Sequence, residues 1–184
     1  MKFHYLARGI IYVNGKVLLA HQRGTDNTFL PGGQIGMGEK ADAALIREMY
    51  EEIGETAILK QFIGAVECTW TENDQDNHEI NLVFELFIPN LDSSKPPVSQ
   101  ESHFEFMWVE PVELKAHNLQ PYPMIECLMN WECGYHAYWG SSLQEGYISR
   151  SRICVLNGCN PYWWWIIQGI FTDQELGGNH FGSG

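Results

Sequence analysis

The sequence predicts an α/β fold in which a mixed β-sheet lies between helices. Runs of residues typical of strands lie on both sides of one amphipathic helix, which is predicted over residues 41–53. The first two runs are joined by Asn14–Gly15, a dipeptide typical of a tight hairpin turn. With 184 residues and a hydrophobic fraction of 45%, the chain suits one domain of ordinary size.

The other elements are predicted from periodicity and turn residues. A polar loop at 72–78 separates two long strands, and the segment 92–100 is a turn-rich linker. In chain order the predicted strands are 6–13, 16–21, 58–71, 79–88 and one in which Phe104, Phe106 and Trp108 alternate with other residues. A second helix is predicted over 123–132.

The helix over 41–53 has two faces of different character. An advance of about 100° per residue predicts a core-facing stripe, formed by Ile46, Met49, Tyr50 and Ile53. The stripe on the other side is acidic and consists of Glu48, Glu51, Glu52 and Glu55. The helix is therefore expected to present carboxylates away from the core.

The acidic stripe works against the stability of its own helix. Glu48 and Glu52 are one turn apart, so their like charges destabilise the helix by a few tenths of a kcal/mol. The last glutamates crowd the C-terminal end, where the helix dipole favours cations, and Gly54 is typical of a residue that ends a helix. A solvated acidic face is one explanation. A bound divalent cation is the other, because carboxylates hold such ions through oxygen and would remove both penalties.

The segment 33–55 resembles the signature of the Nudix hydrolases, G-x5-E-x7-R-E-U-x-E-E-x-G-U, in which U is an aliphatic residue. The preceding Leu30–Gly33 also resembles the lead-in to this signature. Glu55 stands where the last aliphatic residue is usual, a departure that affects packing at the end of the motif. The matching residues are Gly33, Glu39, Arg47, Glu48, Met49, Glu51, Glu52 and Gly54.

The resemblance implies a Nudix-type α/β/α sandwich and a hydrolase acting on a nucleoside diphosphate linked to another moiety, such as a nucleoside triphosphate or a nucleotide sugar. The bond cleaved would be the pyrophosphate bond, and the cofactor Mg2+ or Mn2+. Metal ions activate water and neutralise phosphoryl oxygens, which this chemistry needs. By this resemblance the metal ligands are Glu48 and Glu52, assisted by Glu51. Glu39 would complete the metal site or close the loop onto the helix.

The resemblance also gives expected roles to residues around the acidic helix. Arg47 is expected to orient a glutamate, preferably Glu48, through a fork-shaped pair, with a surface arginine as the alternative. Gly32 and Gly33 let the backbone approach metal or phosphate closely.

Two residues upstream of the signature are candidates for substrate binding. Arg23 could meet a phosphate or a base, although a surface arginine is an equal interpretation. Phe29 could stack on a base, although a core aromatic is favoured.

A general base is expected near the start of the strand at Phe104. In several Nudix branches an acidic residue from this region acts as general base or further metal ligand. Glu101 is favoured because a loop that enters a strand can reach the groove, and Glu105 is second. Glu79, next to His78, is a third candidate, and each of these acids has a plain surface position as its alternative.

A protein with the same fold could have either of two other functions. A nucleotide-sensing module without turnover commonly lacks one or more signature carboxylates, and here the set is intact. An isoprenoid diphosphate isomerase would need a cysteine and a glutamate that face one carbon centre. Cys68 is adjacent to Glu67, but neighbours on a strand point to opposite faces. The sequence therefore favours the hydrolase.

Composition limits the partners and the location. The net charge of −12 argues against a nucleic-acid polymer or an anionic membrane and fits a small nucleotide bound through cations. The five cysteines contain no C-x-x-C pair, and the N-terminus lacks the long apolar region of a signal peptide. No run reaches the roughly 18 apolar residues of a membrane span. A cytoplasmic location is therefore expected.

The sequence divides into a Nudix-type domain over residues 1–135 and an aromatic, glycine-rich extension over 136–184. The uncharged run at 163–167, WWWII, has high β propensity. A docking strand or a homodimer contact is one interpretation of this run. Packing on the preceding domain and sequence outside the natural domain are the others, and no function is assigned to the extension.

Overall fold

A computed structural model describes residues 1–134 and 137–143 of the chain. Within these ranges the fold has a seven-stranded sheet, two α-helices and one 3₁₀ turn at Pro111–Glu113. The strands are β1 (Lys2–Val13), β2 (Lys16–Gln22), β3 (Thr28–Phe29), β4 (Ile58–Glu72), β5 (Gln75–Phe87), β6 (Phe104–Val109) and β7 (Tyr138–Ser141). The helices are α1 (Ala41–Ile53) and α2 (Pro123–Glu132).

The sheet is mixed and lies between the two helices. Its strand order is β3-β2-β1-β5-β4-β7, with β6 paired to β2, and β1–β5 and β4–β7 are the parallel pairs. Leu86 and Glu85 of β5 point to opposite faces. Leu86 shares its face with Leu45 of α1, both lying against Gly9, whereas Glu85 accepts a hydrogen bond from Trp131 of α2 at 3.1 Å. The expected α/β sandwich is confirmed.

The two hairpins with two-residue turns have positive φ angles at both turn residues. Asn14 and Gly15 have φ angles of 50° and 82°, and they close the predicted hairpin between β1 and β2. Asn73 and Asp74 have φ angles of 49° and 59° and join β4 directly to β5. The polar loop predicted at 72–78 is therefore wrong: Asn and Asp tolerate the left-handed region, so the strands continue to a two-residue turn.

The helix α1 begins and ends where the sequence predicts. Gly54 follows it with φ of 73°, and its N–H donates to the carbonyl of Tyr50 at 3.0 Å. The predicted core stripe is wrong in part, because Tyr50 is 65% exposed whereas Leu45 is fully buried. The buried residues of α1 are Ala44, Leu45, Met49, Glu52 and Ile53. Compared with the predicted orientation, α1 is rotated about its axis so that Glu52 faces the core. The reason is that Leu45 fills the space that the missing side chains of Gly9 and Gly32 leave over β1.

Two short strands escaped the sequence analysis. β3 has only two residues, and β7 has four, too few for a periodicity to show. β7 follows the boundary predicted between residues 135 and 136 and pairs with β4. That boundary stays a prediction, and most of the predicted extension, with its run at 163–167, lies outside the described residues.

Three of the cysteines lie in the described ranges. Cys68 and Cys127 are buried, as predicted, and together with Cys133 they are free thiols. Neither helix in the described ranges is long and apolar enough to cross a membrane.

We expect Leu45→Ala to destabilise the fold by about 2–5 kcal/mol, because it leaves a cavity between α1 and the sheet. Tyr50→Ala is the matched control on the same helix and should change the free energy of unfolding by less than about 0.5 kcal/mol. Urea denaturation followed by circular dichroism measures both values. An equal loss in the two variants would contradict the observed rotation of α1.

Candidate active site

The loop at residues 30–35 is fixed to β1 by backbone hydrogen bonds. Gly9 N donates to Pro31 O at 2.8 Å, Ala7 N to Gly33 O at 3.0 Å, and Ile35 N to Tyr5 O at 2.9 Å. Gly32 has φ of 126°, and a β-carbon there would overlap the carbonyl oxygen of Ala7. This position therefore requires glycine for both its conformation and its close approach.

The next residue of the loop lies directly against α1. A β-carbon at Gly33 would stand 2.5 Å from the carboxylate carbon of Glu48 and 2.5 Å from Glu48 Oε2. The absent side chain thus lets the Glu48 carboxylate pack directly against the loop backbone. A larger residue at this position would push the Glu48 carboxylate away from the loop.

Arg47 binds three carboxylates. Its Nε and Nη2 donate to Glu39 Oε1 and Oε2 at 2.9 and 3.0 Å, so the fork-shaped pair is with Glu39 and not with Glu48 as expected. Its Nη1 donates to Glu48 Oε1 at 2.7 Å and to Glu51 Oε2 at 2.8 Å. Arg47 therefore orients Glu39, Glu48 and Glu51 together.

These contacts change the ionisation of both partners. The bonds from Arg47, with a further one from the backbone N–H of Gly36, lower the pKa of Glu39 to about 2. The bonds to Glu39 and Glu48 in turn raise the pKa of Arg47. Both oxygens of Glu39 already accept hydrogen bonds from Arg47, so this residue closes the loop onto α1, and a role as metal ligand stays a prediction.

Glu52 differs from the other acids because it is buried. It is 3% exposed, although the sequence analysis placed it on an acidic outer face. Burial raises its pKa to about 8, and the charges of Glu48 and Glu101 act in the same direction. Arg8 and the N–H of Gly32, which donates to Glu52 Oε2 at 3.2 Å, oppose this rise. A buried carboxylate short of positive charge is the electrostatic arrangement that a cation relieves.

The residues present fit a hard divalent cation. In the described part of the chain, no group of three or more His, Cys, Asp or Glu side chains is arranged to hold a metal ion alone. Mg2+ takes only one or two protein carboxylates and completes its shell with water and substrate phosphates. The Glu48 carboxylate against Gly33 and the buried Glu52 carboxylate are two oxygen donors of the type that such an ion takes, and their role as ligands stays a prediction.

Glu101 lies close to the same carboxylates. Gln100 N donates to the carbonyl of Glu52 at 2.7 Å, which docks the loop before β6 on the end of α1. The Glu101 carboxylate raises the pKa of Glu52, and it lies 3.1 Å from His103 Nε2. Glu105, the second candidate, instead faces His21 at 2.9 Å and Arg23 at 3.8 Å. The structure thus brings Glu101 to the α1 carboxylates and turns Glu105 toward β2.

Arg23 and Phe29, the two side chains predicted to bind substrate, both lie next to β6. The Arg23 side chain is 64% exposed, and its Nε is 3.8 Å from Glu105 Oε2. Phe29 meets Phe104 edge to face at 5.6 Å, and the Arg8 guanidinium lies 5.1 Å from its ring centre. Phe29 is therefore half-buried among other side chains and not free on the surface.

Sequence reasoning missed the role of Arg8. Its Nη1 donates to the carbonyls of Gly32 at 2.6 Å and Leu30 at 3.2 Å, and its Nε donates to Asn81 Oδ1 at 3.2 Å. The signal was present, because Arg8 alternates with the apolar Leu6 and Ile10 along β1 and so had to face inward. An inward-facing arginine needs acceptors, and here they belong to the glycine loop and to β5.

Cys68 and Glu67 point to opposite faces of β4, as predicted. Glu67 lies 3.8 Å from His78, whereas Cys68 Sγ lies 3.9 Å from Glu79 Oε1. Burial, and then the charge of Glu79, raise the pKa of Cys68 to about 12. The thiol therefore stays protonated at neutral pH.

Comparison with known proteins agrees with this architecture. The model of the NUDIX domain family matches residues 3–128. The E. coli ORF135 protein is similar in structure, with 22% identity, a TM-score of 0.52, and coverage of 73% of this chain and 94% of that chain. None of the curated proteins matches the sequence.

Two further solved structures have similar folds. A UDP-X diphosphatase has 19% identity and a TM-score of 0.55, covering 76% of this chain and 67% of that chain. The MutT protein from Methanosarcina mazei Go1 has 19% identity and a TM-score of 0.54, covering 72% and 95%. At these identities the likeness shows the fold.

We expect the burial of Glu52 to make the stability of the metal-free protein depend on pH. The folded pKa of about 8 lies above the unfolded value of 4.5, so the folded state binds the extra proton between these values. Stability should fall as pH rises through this window, by at most about 1.4 kcal/mol per pH unit. Glu52→Gln should remove this slope, and urea denaturation in EDTA measures it.

The same variant tests the fit to a cation without an activity assay. At pH 9, Mg2+ should stabilise the wild-type protein, because the ion binds only the folded state, and should stabilise Glu52→Gln much less. Glu55→Gln, which removes a charge just after α1, should behave as wild type. Equal stabilisation of all three proteins would contradict the assignment of Glu52.

We also expect a pH-dependent contact at His21. Its two ring nitrogens face acceptors only, Glu105 Oε1 at 2.9 Å and the carbonyl of Thr25 at 2.8 Å, so both bonds form only when the ring is protonated. The bond to Thr25, and then the bond to Glu105, raise the pKa of His21. This contribution to stability is complete below the unfolded pKa of 6.5 and is lost as pH rises through the folded value.

His21→Gln should therefore cost more stability at pH 5.5 than at pH 8.5. Glu105→Gln should show a smaller difference of the same sign, because it leaves the bond to Thr25 in place. Urea midpoints of the three proteins at the two pH values measure the effect. A loss in His21→Gln that does not change with pH would contradict the protonated state.

Proposed function

Since this chain belongs to the NUDIX domain family and is a Nudix-type pyrophosphohydrolase, we propose that its substrate is a nucleoside diphosphate linked to another moiety. Nucleoside triphosphates and nucleotide sugars are the two types of substrate meant. We further propose that turnover requires Mg2+ or Mn2+. The observation that supports this most directly is the set of carboxylates at the glycine loop, with Glu48 facing Gly33 and Glu52 buried beneath Gly32.

The proposed ligands of the cation are Glu48 and Glu52, with Glu51 assisting. When bound, the ion supplies charge neutralisation for the phosphoryl oxygens and lowers the pKa of water. Arg47 is a positioning residue: it keeps the Glu48 carboxylate against the loop through a bond of 2.7 Å. It also ties Glu39 to the same cluster, so that the loop and α1 keep a fixed separation.

The chain's own groups then account for the remaining requirements. The absence of side chains at Gly32 and Gly33 brings the loop against α1, so that a phosphate held by the cation would lie next to the loop backbone. The Glu101 carboxylate accepts the proton of the water that attacks phosphorus, while the bond from phosphorus to the leaving phosphate oxygen breaks. In this proposal Arg23, whose side chain is 64% exposed, pairs with a phosphate of the substrate, and Phe29, next to Arg8, stacks on its base.

A panel of nucleoside triphosphates, nucleotide sugars, ADP-ribose and dinucleoside polyphosphates tests this function. With Mg2+ or Mn2+, we expect phosphate or nucleoside monophosphate to be released from one of these groups, and EDTA should stop the release. Tight metal-assisted binding of one nucleotide with no turnover on any would instead indicate the sensing module.

We expect Glu48→Gln and Glu52→Gln each to lower kcat at least about 100-fold, because each removes a ligand charge from the cation. Glu55→Gln is the matched control: its carboxylate lies just after the same helix and, among the described residues, accepts from Asn90 alone, at 3.3 Å. That variant should stay within about threefold of wild type. Near-normal turnover of Glu52→Gln at saturating Mg2+ would end the ligand assignment.

Glu101→Gln tests the proposed base separately. Loss of a general base typically costs about 10²–10⁴-fold in rate. The loss should be seen in kcat, with little change in the Mg2+ concentration needed for half-maximal rate. Glu105→Gln should change kcat much less, because that carboxylate faces His21 and Arg23.

A further inference from the structure

A row of polar side chains extends from the glycine loop along one face of the sheet. Asn81, Glu79 and Asn77 occupy alternate positions of β5 and so point to the same face. Arg8 joins the row to the loop, since it donates to both Asn81 Oδ1 and Gly32 O. At about 3.4 Å per residue, the row reaches about 14 Å from Asn81 to Asn77. An extended nucleotide with its phosphates at Gly32 would place its base over this row.

The carboxylate at the middle of the row is held in a fixed orientation. Asn81 Nδ2 donates to Glu79 Oε1 at 2.6 Å and to the carbonyl of Val66 at 3.3 Å, while Asn81 Oδ1 accepts from Arg8. The amide of Asn81 is fully buried and its groups are all engaged, so it cannot turn away. Glu79 is thereby positioned through a chain of bonds that begins at the active-site loop.

The Glu79 carboxylate lacks a cationic partner in the part of the chain that the structure describes. Among residues 1–134 and 137–143, no Lys, Arg or His side chain forms an ion pair with it. Each carboxylate oxygen has two acceptor sites. On Oε1 one site accepts from Asn81 at 2.6 Å and the other faces Cys68 Sγ at 3.9 Å, so the sites left for a ligand are mainly those of Oε2. Burying a carboxylate in part while some of its acceptor sites lack hydrogen bonds costs folding free energy, unless a ligand supplies donors.

An aromatic pair lies at the far end of the row, next to Asn77. His4 of β1 and Trp70 of β4 lie on either side of β5, yet their rings stack with centroids 5.4 Å apart and an angle of 26° between planes. His4 Nε2 also lies 3.1 Å from Asn77 Oδ1. Trp70 is 37% exposed, so the pair presents part of an aromatic surface to solvent. A planar base that meets Glu79 by its edge would pack against this pair by its body.

We propose that Glu79 reads the nucleobase of the substrate and selects guanine, an inference that rests on the proposed function. A carboxylate only accepts hydrogen bonds, so it favours a base with two adjacent donors. Guanine has such a pair, N1–H and the N2 amino group. Adenine and cytosine present one amino donor next to an acceptor nitrogen, and uracil presents one N–H between two carbonyls. Only guanine brings two adjacent donors to the Glu79 carboxylate without bringing an acceptor against it.

Base selection is measured by the ratio of kcat/KM values for GTP and ATP, with Mg2+ present. We expect the wild-type protein to prefer GTP by about tenfold or more, the usual effect of a bidentate contact to a base edge. ITP has N1–H but lacks the N2 amino group, so it should fall between GTP and ATP. Glu79→Gln should lower the GTP to ATP ratio about tenfold, mainly through slower use of GTP.

Two other variants control this result. Glu72→Gln removes an exposed carboxylate at the tip of the β4–β5 hairpin and should keep the wild-type ratio. Glu79→Asp keeps the charge but withdraws the oxygens by one methylene, and it should also lower the ratio. It keeps the inference testable where Glu79→Gln does not fold.

Binding separates this inference from the proposed function. Titration calorimetry with GDP and with ADP, in Mg2+, measures base preference without turnover. GDP binding about tenfold tighter than ADP, with the difference lost in Glu79→Gln, would support the inference even if no nucleotide is hydrolysed. Equal binding of the two nucleotides, or a preference that Glu79→Gln and Glu79→Asp leave unchanged, would overturn it while leaving the hydrolase standing.

Discussion

The close approach of the glycine loop to β1 and α1 is the constraint on which the rest of the structure depends. A side chain at Gly32 would overlap Ala7 and meet Leu45, and one at Gly33 would meet the Glu48 carboxylate. Because both are absent, the loop can lie between strand and helix and bond to the strand through its backbone. The helix then rotates until Leu45 fills the remaining space, and this rotation buries Glu52.

The charges of the site are divided between an outer and an inner group. On the outer side Arg47 binds Glu39, Glu48 and Glu51 and supplies the positive charge they need. On the inner side Glu52 has the N–H of Gly32 and the field of Arg8, and these do not offset its burial. The end of a helix adds its own partial negative charge there. Arg47 thus balances the negative charge of the outer carboxylates, whereas the groups around Glu52 do not offset the cost of burying its charge.

Local signals in the sequence predicted the parts of the fold that local chemistry decides. Asn14–Gly15 specified a turn, Gly54 specified the end of α1, and the spacing of the glutamates specified a carboxylate cluster. Helical periodicity could not show that Leu45 is buried and Tyr50 exposed. The rotation of α1 depends on two glycines distant in sequence, Gly9 and Gly32. The burial of Glu52 follows from that rotation, and so it was also missed.

Contacts between distant segments were beyond the sequence for a related reason. Arg8 and Asn81 were both visible, but nothing local indicates that β1 pairs in parallel with β5. The two-residue β3 and the four-residue β7 are stabilised by their partners and not by their own pattern. The orientation of Glu79 depends on the same pairing and could be read only from the structure.

The position of β1 in the sheet has a consequence for biosynthesis. β1 is made first, but its parallel partner β5 ends at Phe87, about 75 residues later. At about 5–20 residues per second, β1 waits roughly 4–15 s for that partner to be made. During this interval the pairings open to β1 are its hairpin with β2 and its bonds to the glycine loop, and the edge that β5 later covers needs protection from other chains. Completion of the sheet at β1 is therefore a late event, and premature termination before β5 yields a chain in which the hairpin has formed and one edge of β1 is unpaired.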